Sequence, residues 1–374
     1  MRNSFRTVLL SILLLAPLSP VLAQDDPELT GDSALIRAEQ LLLNGSYAAA
    51  AEMFQMSDGL DRTDGLIGAS RAYFMTGNYQ RAEGVVADAI EDDDYASFPL
   101  LSTQLAEVKR ATGQSAAALE IFEAVMEGLP EPPVRTLAQY GSLLQFKGQR
   151  SEAYRVLDRV VQRYNSGLVF TSEDVAMVAL ASWLMGNFYD ANSLFDEATR
   201  ANPNNLEAHT LWADLFLEKY NASDAERGYQ EALEINSRYV PALVGIARVV
   251  GDERSLQRAL AINPNSISAL ETYGQLLMMN GREDEAMAYF TQVLALNPES
   301  LTTLSILAAQ AALNERMDEY ENYYEQVQAF SPGNAEFLGD IADAFGNNYR
   351  FTEAVEYARA ALEADPEYWQ GYTL

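Results

Sequence analysis

The hydrophobic positions of residues 266–300 form two consecutive helical patterns. Leu270, Tyr273 and Leu277 recur at intervals of three and four residues, which places them on one face of a helix. A second set with the same spacing follows, and its members are Ala286, Phe290, Val293 and Leu294. Gly281 lies between the two sets and can take the left-handed conformation that ends a helix. The stretch therefore predicts a pair of helices joined by a short turn.

Small residues indicate where the two helices meet. Gly274 lies in the first pattern and Ala286 in the second, and a large side chain at either position would hold the helices apart. Pro298 ends the second helix, because proline cannot continue one. A single pair of helices cannot bury its own hydrophobic face, so the sequence predicts neighbouring copies.

The copies are visible as prolines at a fixed interval. Four prolines share one spacing along the chain, at Pro264, Pro298, Pro332 and Pro366. Pro203 precedes Ser237 by the same spacing, and Ser237 takes the proline position of the next copy. With small residues near its eighth and twentieth positions and proline near its thirty-second, the unit resembles the tetratricopeptide repeat (TPR), a helix-turn-helix unit of about 34 residues.

The resemblance implies an all-α fold in which about ten TPR helix-turn-helix units form an α-solenoid with a right-handed superhelix. Residues 31–165 contain four irregular units, and residues 166–366 contain six regular ones. Unit seven is short, because Pro264 comes seven positions earlier after Ser237 than the common spacing requires. We expect the seven missing residues to come from the start of its second helix, near Gly251.

The first 23 residues are typical of a cleavable signal peptide. Arg2 and Arg6 give a positive start, Val8–Leu15 is an apolar core, and small residues lead to a cleavage site after Ala23. The alternative, an uncleaved membrane anchor, needs about 20 apolar residues, and this core is much shorter. The leader predicts a periplasmic or secreted protein of the Gram-negative bacterial envelope.

Composition narrows the classes of partner. The chain has 54 acidic and 25 basic residues, for a formal charge of −29, and no cysteine. Nucleic acids and anionic membranes both need a positive surface, so neither is an expected partner. We interpret the charge as an acidic exterior that keeps a solenoid rich in apolar residues soluble.

The sequence offers little catalytic chemistry. Its one histidine, His209, cannot form a two-histidine zinc motif and is expected to be packed inside unit six. It has no phosphate-binding Gly-Lys-Ser/Thr loop, and no strand precedes a dinucleotide fingerprint. We therefore predict a protein that is not an enzyme and that needs no metal and no cofactor.

The family resemblance implies that the first helices of successive units line a concave groove, which holds a protein or peptide partner. The groove positions of the family fall here on Arg71, Phe74, Met75, Arg135, Gln145, Phe146, Trp183, Asp214, Leu217, Arg248, Gln275, Met278 and Met279. Aromatic, methionine and arginine side chains are enriched at interfaces and binding hot spots. The alternative for the aromatic residues and methionines is that they pack between repeats.

Two functions stay open at this point. The first is a non-enzymatic interaction scaffold of the bacterial periplasm. The alternative is the recruitment arm of a longer protein, with a catalytic domain such as a zinc peptidase, or an outer-membrane domain, beyond residue 374. Residues 24–30 are expected to form a flexible N-terminus, and residues 367–374 are expected to begin a further helix. The oligomeric state is not predicted.

Overall fold

The computed structural model describes residues 31–57, 62–90, 97–219, 221–366 and 368. These residues form twenty α-helices. Their bounds are α1 (Gly31–Leu43), α2 (Tyr47–Phe54), α3 (Arg62–Met75), α4 (Tyr79–Ala87), α5 (Pro99–Ala111), α6 (Ser115–Gly128), α7 (Val134–Phe146), α8 (Arg150–Asn165), α9 (Ser172–Leu184), α10 (Phe188–Ala201), α11 (Leu206–Glu218), α12 (Ala222–Ile235), α13 (Val240–Val250), α14 (Glu253–Ile262), α15 (Ile267–Met279), α16 (Glu283–Leu296), α17 (Leu301–Leu313), α18 (Met317–Phe330), α19 (Ala335–Asn347) and α20 (Phe351–Ala364).

The helices pack in ten consecutive pairs, from α1 with α2 to α19 with α20. Each pair is one repeat unit, and each unit also packs on the next. The described part of the chain is therefore an all-α helical repeat solenoid, as the proline period predicted. Its right-handed sense stays a prediction of the family resemblance.

Three of the sequence-based expectations fall outside the described residues. They are the signal peptide of residues 1–23, the segment 24–30 and, except for Tyr368, the start of a further helix at residues 367–374. All three stay predictions.

Short polar motifs set the ends of the regular helices. Asn297 ends α16 with an extended backbone (φ −140°, ψ 93°), the conformation that a following proline favours. Three residues later, the Ser300 hydroxyl accepts a hydrogen bond from the Thr303 amide (3.2 Å) and caps the start of α17. The loop between units is thus only four residues long, and it holds consecutive units close together.

The contact within unit eight explains its glycine. A Cβ atom added to Gly274 would lie 2.5 Å from Cε1 of Phe290, whose ring is fully buried. Ala286 is also fully buried, one turn earlier on the same helix. The small residue at position 274 therefore makes room for a ring, as the sequence indicated.

The shortening of unit seven differs from the prediction. Its helices α13 and α14 have 11 and 10 residues, whereas α11 and α12 of unit six have 13 and 14. The first helix thus loses two residues and the second only four, and the turn loses one. Gly251 ends α13 in the left-handed conformation (φ 69°), and Asp252 caps α14 at once by accepting the Ser255 amide. Adjacent caps leave no room for a longer turn, so both helices are shortened.

The first four units are contacted by loops that follow five units later. We call this contact the seam. In unit one, Arg238 Nε donates to the Gly45 carbonyl (3.0 Å), and the Tyr47 hydroxyl donates to the Arg238 carbonyl (3.2 Å). In unit two, Asn265 Nδ2 donates to the Gly77 carbonyl at 3.1 Å. The loops after units six and seven therefore cover the turns of units one and two.

The seam continues through the next two units with different chemistry. In unit three, the Ser115 amide donates to Glu299 Oε2 at 2.9 Å. In unit four, the Ser331 hydroxyl donates to the Phe146 carbonyl, and the Phe146 ring stacks on Phe330 with centroids 5.5 Å apart. The hydrogen-bonded residues are 184 to 193 positions apart in sequence. The solenoid therefore coils back onto its own first units.

Replacing Gly274 with leucine should destabilise the protein by about 1–3 kcal/mol, because the new side chain has to displace the buried Phe290 ring. The measurement is the thermal midpoint, with Gly84→Leu as control, since a Cβ atom at Gly84 would meet no atom within 4 Å. An unchanged midpoint for Gly274→Leu would show that this helix contact is misplaced.

Alanine at Gly77 should cost about 1–3 kcal/mol more than alanine at Gly281. Both glycines have positive φ (76° and 72°), so both variants carry the same backbone penalty of about 1–2 kcal/mol. Only at Gly77 would the Cβ atom also meet the seam, at 2.2 Å from Asn263 Oδ1. Urea unfolding with amide exchange of units one to four measures the difference, and equal losses would contradict the seam.

Candidate functional site

Two cavities that share part of their walls lie within the coil. The larger, of about 1070 Å³, lies between the C-terminal ends of α9 and α11 and the loop after α20, and we call it the mouth cavity. The smaller, of about 620 Å³, lies between α5, α7 and the start of α17, and we call it the inner cavity. The side chains shared by both are Gln145, Arg150, Leu184 and Glu336. They are the only wall residues common to these two cavities among the described residues.

An aromatic wall of the mouth cavity is built from the ends of α9 and α11. Trp183 is half-buried, and its Nε1 donates to Glu218 Oε2 at 2.6 Å. Lys219 Nζ bonds the other oxygen of Glu218 at 2.8 Å and lies 6.0 Å from the ring centre of Phe188. Glu218 therefore fixes the indole in place, so that the ring is presented to the cavity in one orientation.

Gln145 and Arg150 hold the boundary between the two cavities. Gln145 Nε2 donates to the carbonyl of Leu184 at 2.7 Å, which ties α7 to the end of α9. Arg150 Nε lies 2.5 Å from Asp365 Oδ2, which ties the turn of unit four to the loop after unit ten. The rim of the mouth cavity is thus built from units far apart in sequence.

An ion-pair network occupies the centre of the coil. Arg135 on α7 contacts Glu107 on α5 at 2.8 Å and Glu207 on α11 at 2.8 Å. Burial alone would raise the pKa of the Glu207 carboxyl, but the charge of Arg135 and its hydrogen bonds hold that pKa below the ordinary value. Arg135, predicted as a partner-binding residue, thus links units three, four and six.

Glu336 takes the same position in unit ten that Glu207 takes in unit six, and its surroundings differ. Each follows an asparagine cap by two residues, and the caps Asn205 and Asn334 accept amides of α11 and α19. Whereas Glu207 pairs with Arg135, the side chain of Glu336 is exposed to both cavities and forms no ion pair within the described residues. Burial inside the coil raises its pKa, which the charge of Arg150 lowers in part.

A second carboxyl follows one turn further along α19. Burial, together with the charge of Glu336, raises the pKa of Asp340 to about 7. Because i and i+4 lie on one face of a helix, Glu336 and Asp340 make that face of α19 acidic. Of the two carboxyls, Glu336 is the one that lines the cavities.

Several predicted partner-binding residues are placed in contacts within the fold. Phe146 stacks on Phe330, as described above, although it also lines the inner cavity. Asp214 accepts hydrogen bonds from the Tyr229 hydroxyl (2.6 Å) and from Arg248 (3.0 Å). Phe146 therefore belongs to the seam, whereas Asp214 and Arg248 join unit six to unit seven.

Of the thirteen predicted residues, the two cavities bring together four, which are Phe74, Gln145, Phe146 and Trp183. The others lie outside both cavities, and they are Arg71, Met75, Arg135, Asp214, Leu217, Arg248, Gln275, Met278 and Met279. Among these, Arg71 donates to Gln104 Oε1 at 3.2 Å, and Met279 is 83% exposed. The predicted set is therefore spread along the coil rather than gathered at one site.

The predicted partner-binding residues include none of the nine charged residues of the cavity walls. These are Glu107, Arg110, Arg150, Glu218, Lys219, Glu271, Glu299, Glu336 and Asp365. One signal was available for Glu336, because Asn-x-Glu recurs at the start of α11 and α19. The position of Arg150 carried no such signal, since its importance comes from the seam.

Three smaller features of the described residues concern metal ions, membranes and the single histidine. No group of three or more acidic or histidine side chains there is arranged to hold a metal ion. None of the helices there combines the length and the hydrophobicity needed to cross a membrane. His209 is 8% exposed, and its Nε2 lies 3.0 Å from the Pro203 carbonyl, so it is packed as predicted.

Comparison with known proteins identifies the repeat. Residues 267–300 and 335–368 match the tetratricopeptide repeat family, and these segments are units eight and ten. No curated protein sequence matches the chain. Among 343 matching chains of solved structures is the crystal structure of the APC/C hetero-tetramer Cut9-Hcn1, with a TM-score of 0.46 and 13% identity, over 92% of this chain and 83% of that one. The chain therefore contains tetratricopeptide repeats within an all-α repeat solenoid, a type of repeat that suggests a protein-interaction scaffold.

Proposed function

We propose that this protein is a non-enzymatic scaffold that binds an extended segment of a partner protein in the mouth cavity. The observation that carries the proposal is the Trp183 wall of that cavity. Tryptophan is enriched at binding hot spots, particularly where a pocket surrounds it. At about 1070 Å³, the cavity is also at the upper end of the range for small-molecule pockets, which leaves room for several peptide residues.

The rest of the groove is less suited to a partner. The seam covers the turns of units one to four, and Arg135 and Phe146 make contacts inside the coil. A partner that used those side chains would first have to break contacts between distant units. The mouth cavity needs no such rearrangement, because the indole of Trp183 is already oriented by Glu218.

The proposed location is the periplasm of a Gram-negative bacterium, which the signal peptide of residues 1–23 supports. The mature protein would then begin at Gln24 and be released by osmotic shock. Mass spectrometry of the N-terminus, together with cell fractionation, tests this. A chain that keeps residues 1–23 and stays in the cytoplasm would overturn the location while leaving the binding proposal intact.

Alanine at Trp183 should weaken the binding of selected peptides by about tenfold or more, which corresponds to about 1.4 kcal/mol. The peptides come from a random dodecapeptide phage library selected on the immobilised full-length chain, and affinities are measured by fluorescence anisotropy. The loss is expected because the indole supplies the aromatic wall of the cavity.

Trp212→Ala is the matched control. Trp212 is also half-buried and also donates to a side chain, Asn192 Oδ1 at 2.9 Å, but it does not line the mouth cavity. Circular dichroism checks that both variants are folded. A selection that enriches no peptide, or an equal loss of affinity in both variants, would overturn the proposed function.

A further inference from the structure

The seam stops at unit five, and the mouth cavity lies at its end. Gly186 takes the turn position in unit five that Gly77 takes in unit two, with similar φ values of 81° and 76°. A Cβ atom on Gly77 would lie 2.2 Å from Asn263, whereas one on Gly186 would meet no described atom within 4 Å. Gly186 lines the mouth cavity together with Asp365 and Pro366 of the loop after unit ten. Among the described residues, the loop after unit ten therefore leaves this turn uncovered.

The residue two positions after the turn glycine indicates what kind of group could cover the turn of unit five. In units one and two this residue is a tyrosine, Tyr47 or Tyr79, whose hydroxyl donates to the carbonyl of the arriving loop. In unit five it is Phe188, which has no hydroxyl. Together with Trp183 and Leu184, Phe188 offers an arriving segment a hydrophobic surface instead of a hydrogen bond.

The charges of the mouth-cavity wall are not balanced among the described residues. Both bases in the wall already have an acidic partner, since Arg150 pairs with Asp365 and Lys219 pairs with Glu218. Glu336 has no such partner within the described residues, and its side chain is exposed to the cavity. One carboxylate therefore lines the same cavity as the aromatic residues without a counter-charge among the described residues.

We propose that the mouth cavity binds an extended peptide segment in which lysine or arginine alternates with large apolar residues. This inference rests on the proposed function and specifies the chemistry of the partner. The cationic groups meet Glu336, and the apolar side chains pack on Trp183 and Phe188. The formal charge of −29 steers a cationic segment towards the protein and repels an acidic one.

Three fluorescein-labelled nonapeptides with blocked ends test the chemistry by anisotropy with the full-length chain. One alternates leucine with lysine, the second leucine with glutamate, and the third serine with lysine. We expect the leucine–lysine peptide to bind about tenfold tighter than either of the others. Salt at about 150 mM screens the attraction to charges outside the cavity. A preference for the glutamate peptide, equal binding of the two lysine peptides, or no binding of any peptide would overturn the inference.

Glu336→Gln should weaken the leucine–lysine peptide about tenfold, and Glu325→Gln should leave it unchanged. Glu325 is an exposed carboxylate on α18 that lines neither cavity, so its variant removes the same charge from elsewhere. Equal effects would mean that the overall charge attracts the peptide, which overturns the inference.

The phage selection separates this inference from the proposed function. One outcome is that the selected peptides depend on Trp183 but carry no basic residue, and bind the Glu336→Gln variant as well as the unchanged protein. That result would overturn the inference about a basic, apolar peptide and leave the proposed function standing. A selection without any peptide dependent on Trp183 would overturn both.

Discussion

The seam between turn carbonyls and distant loops is the constraint on which the rest of the coil depends. A carbonyl in a turn between two helices is not paired by either helix and needs a hydrogen-bond partner from elsewhere. At Gly45 and Gly77 the partner is the side chain of Arg238 or Asn265, supplied by a loop five units later. Stability in a solenoid usually comes from each unit and its neighbours. Here the seam adds contacts between units that are not neighbours, so units one to four are each held to a loop that follows five units later.

The seam also explains which turns need glycine. The left-handed conformation alone does not require it, because Glu315 and Tyr349 adopt φ values of 59° and 61° in units nine and ten. Tyr349 is 84% exposed, so its side chain has space at that turn. At Gly113, in contrast, a Cβ atom would lie 2.6 Å from Pro298 Cδ. Close approach of a loop, more than backbone conformation, therefore excludes a side chain from the seam turns.

The sequence predicts the units well and their long-range arrangement poorly, for a physical reason. Helices, caps and the spacing of prolines are local, so a fixed period along the chain reveals them. The seam joins residues more than 180 positions apart through single side chains, and no periodicity encodes it. This is why Phe146 was predicted as a groove residue although it stacks on Phe330. Likewise, the seven residues missing from unit seven could be counted, but their distribution over two helices depended on the caps at Gly251 and Asp252.

The candidate site lies where the contacts that close the coil are incomplete among the described residues. Four turns are covered by loops, and the fifth, at Gly186, faces the mouth cavity instead. The ion pairs are incomplete in the same way. Glu207 pairs with Arg135, whereas Glu336, at the equivalent position, faces the cavity. A surface that the described residues leave uncovered, with its side chains already oriented, would need little reorganisation to bind a partner. The repeat thus produces the closed part of the coil and, where the described contacts end, the surface that we propose for a partner.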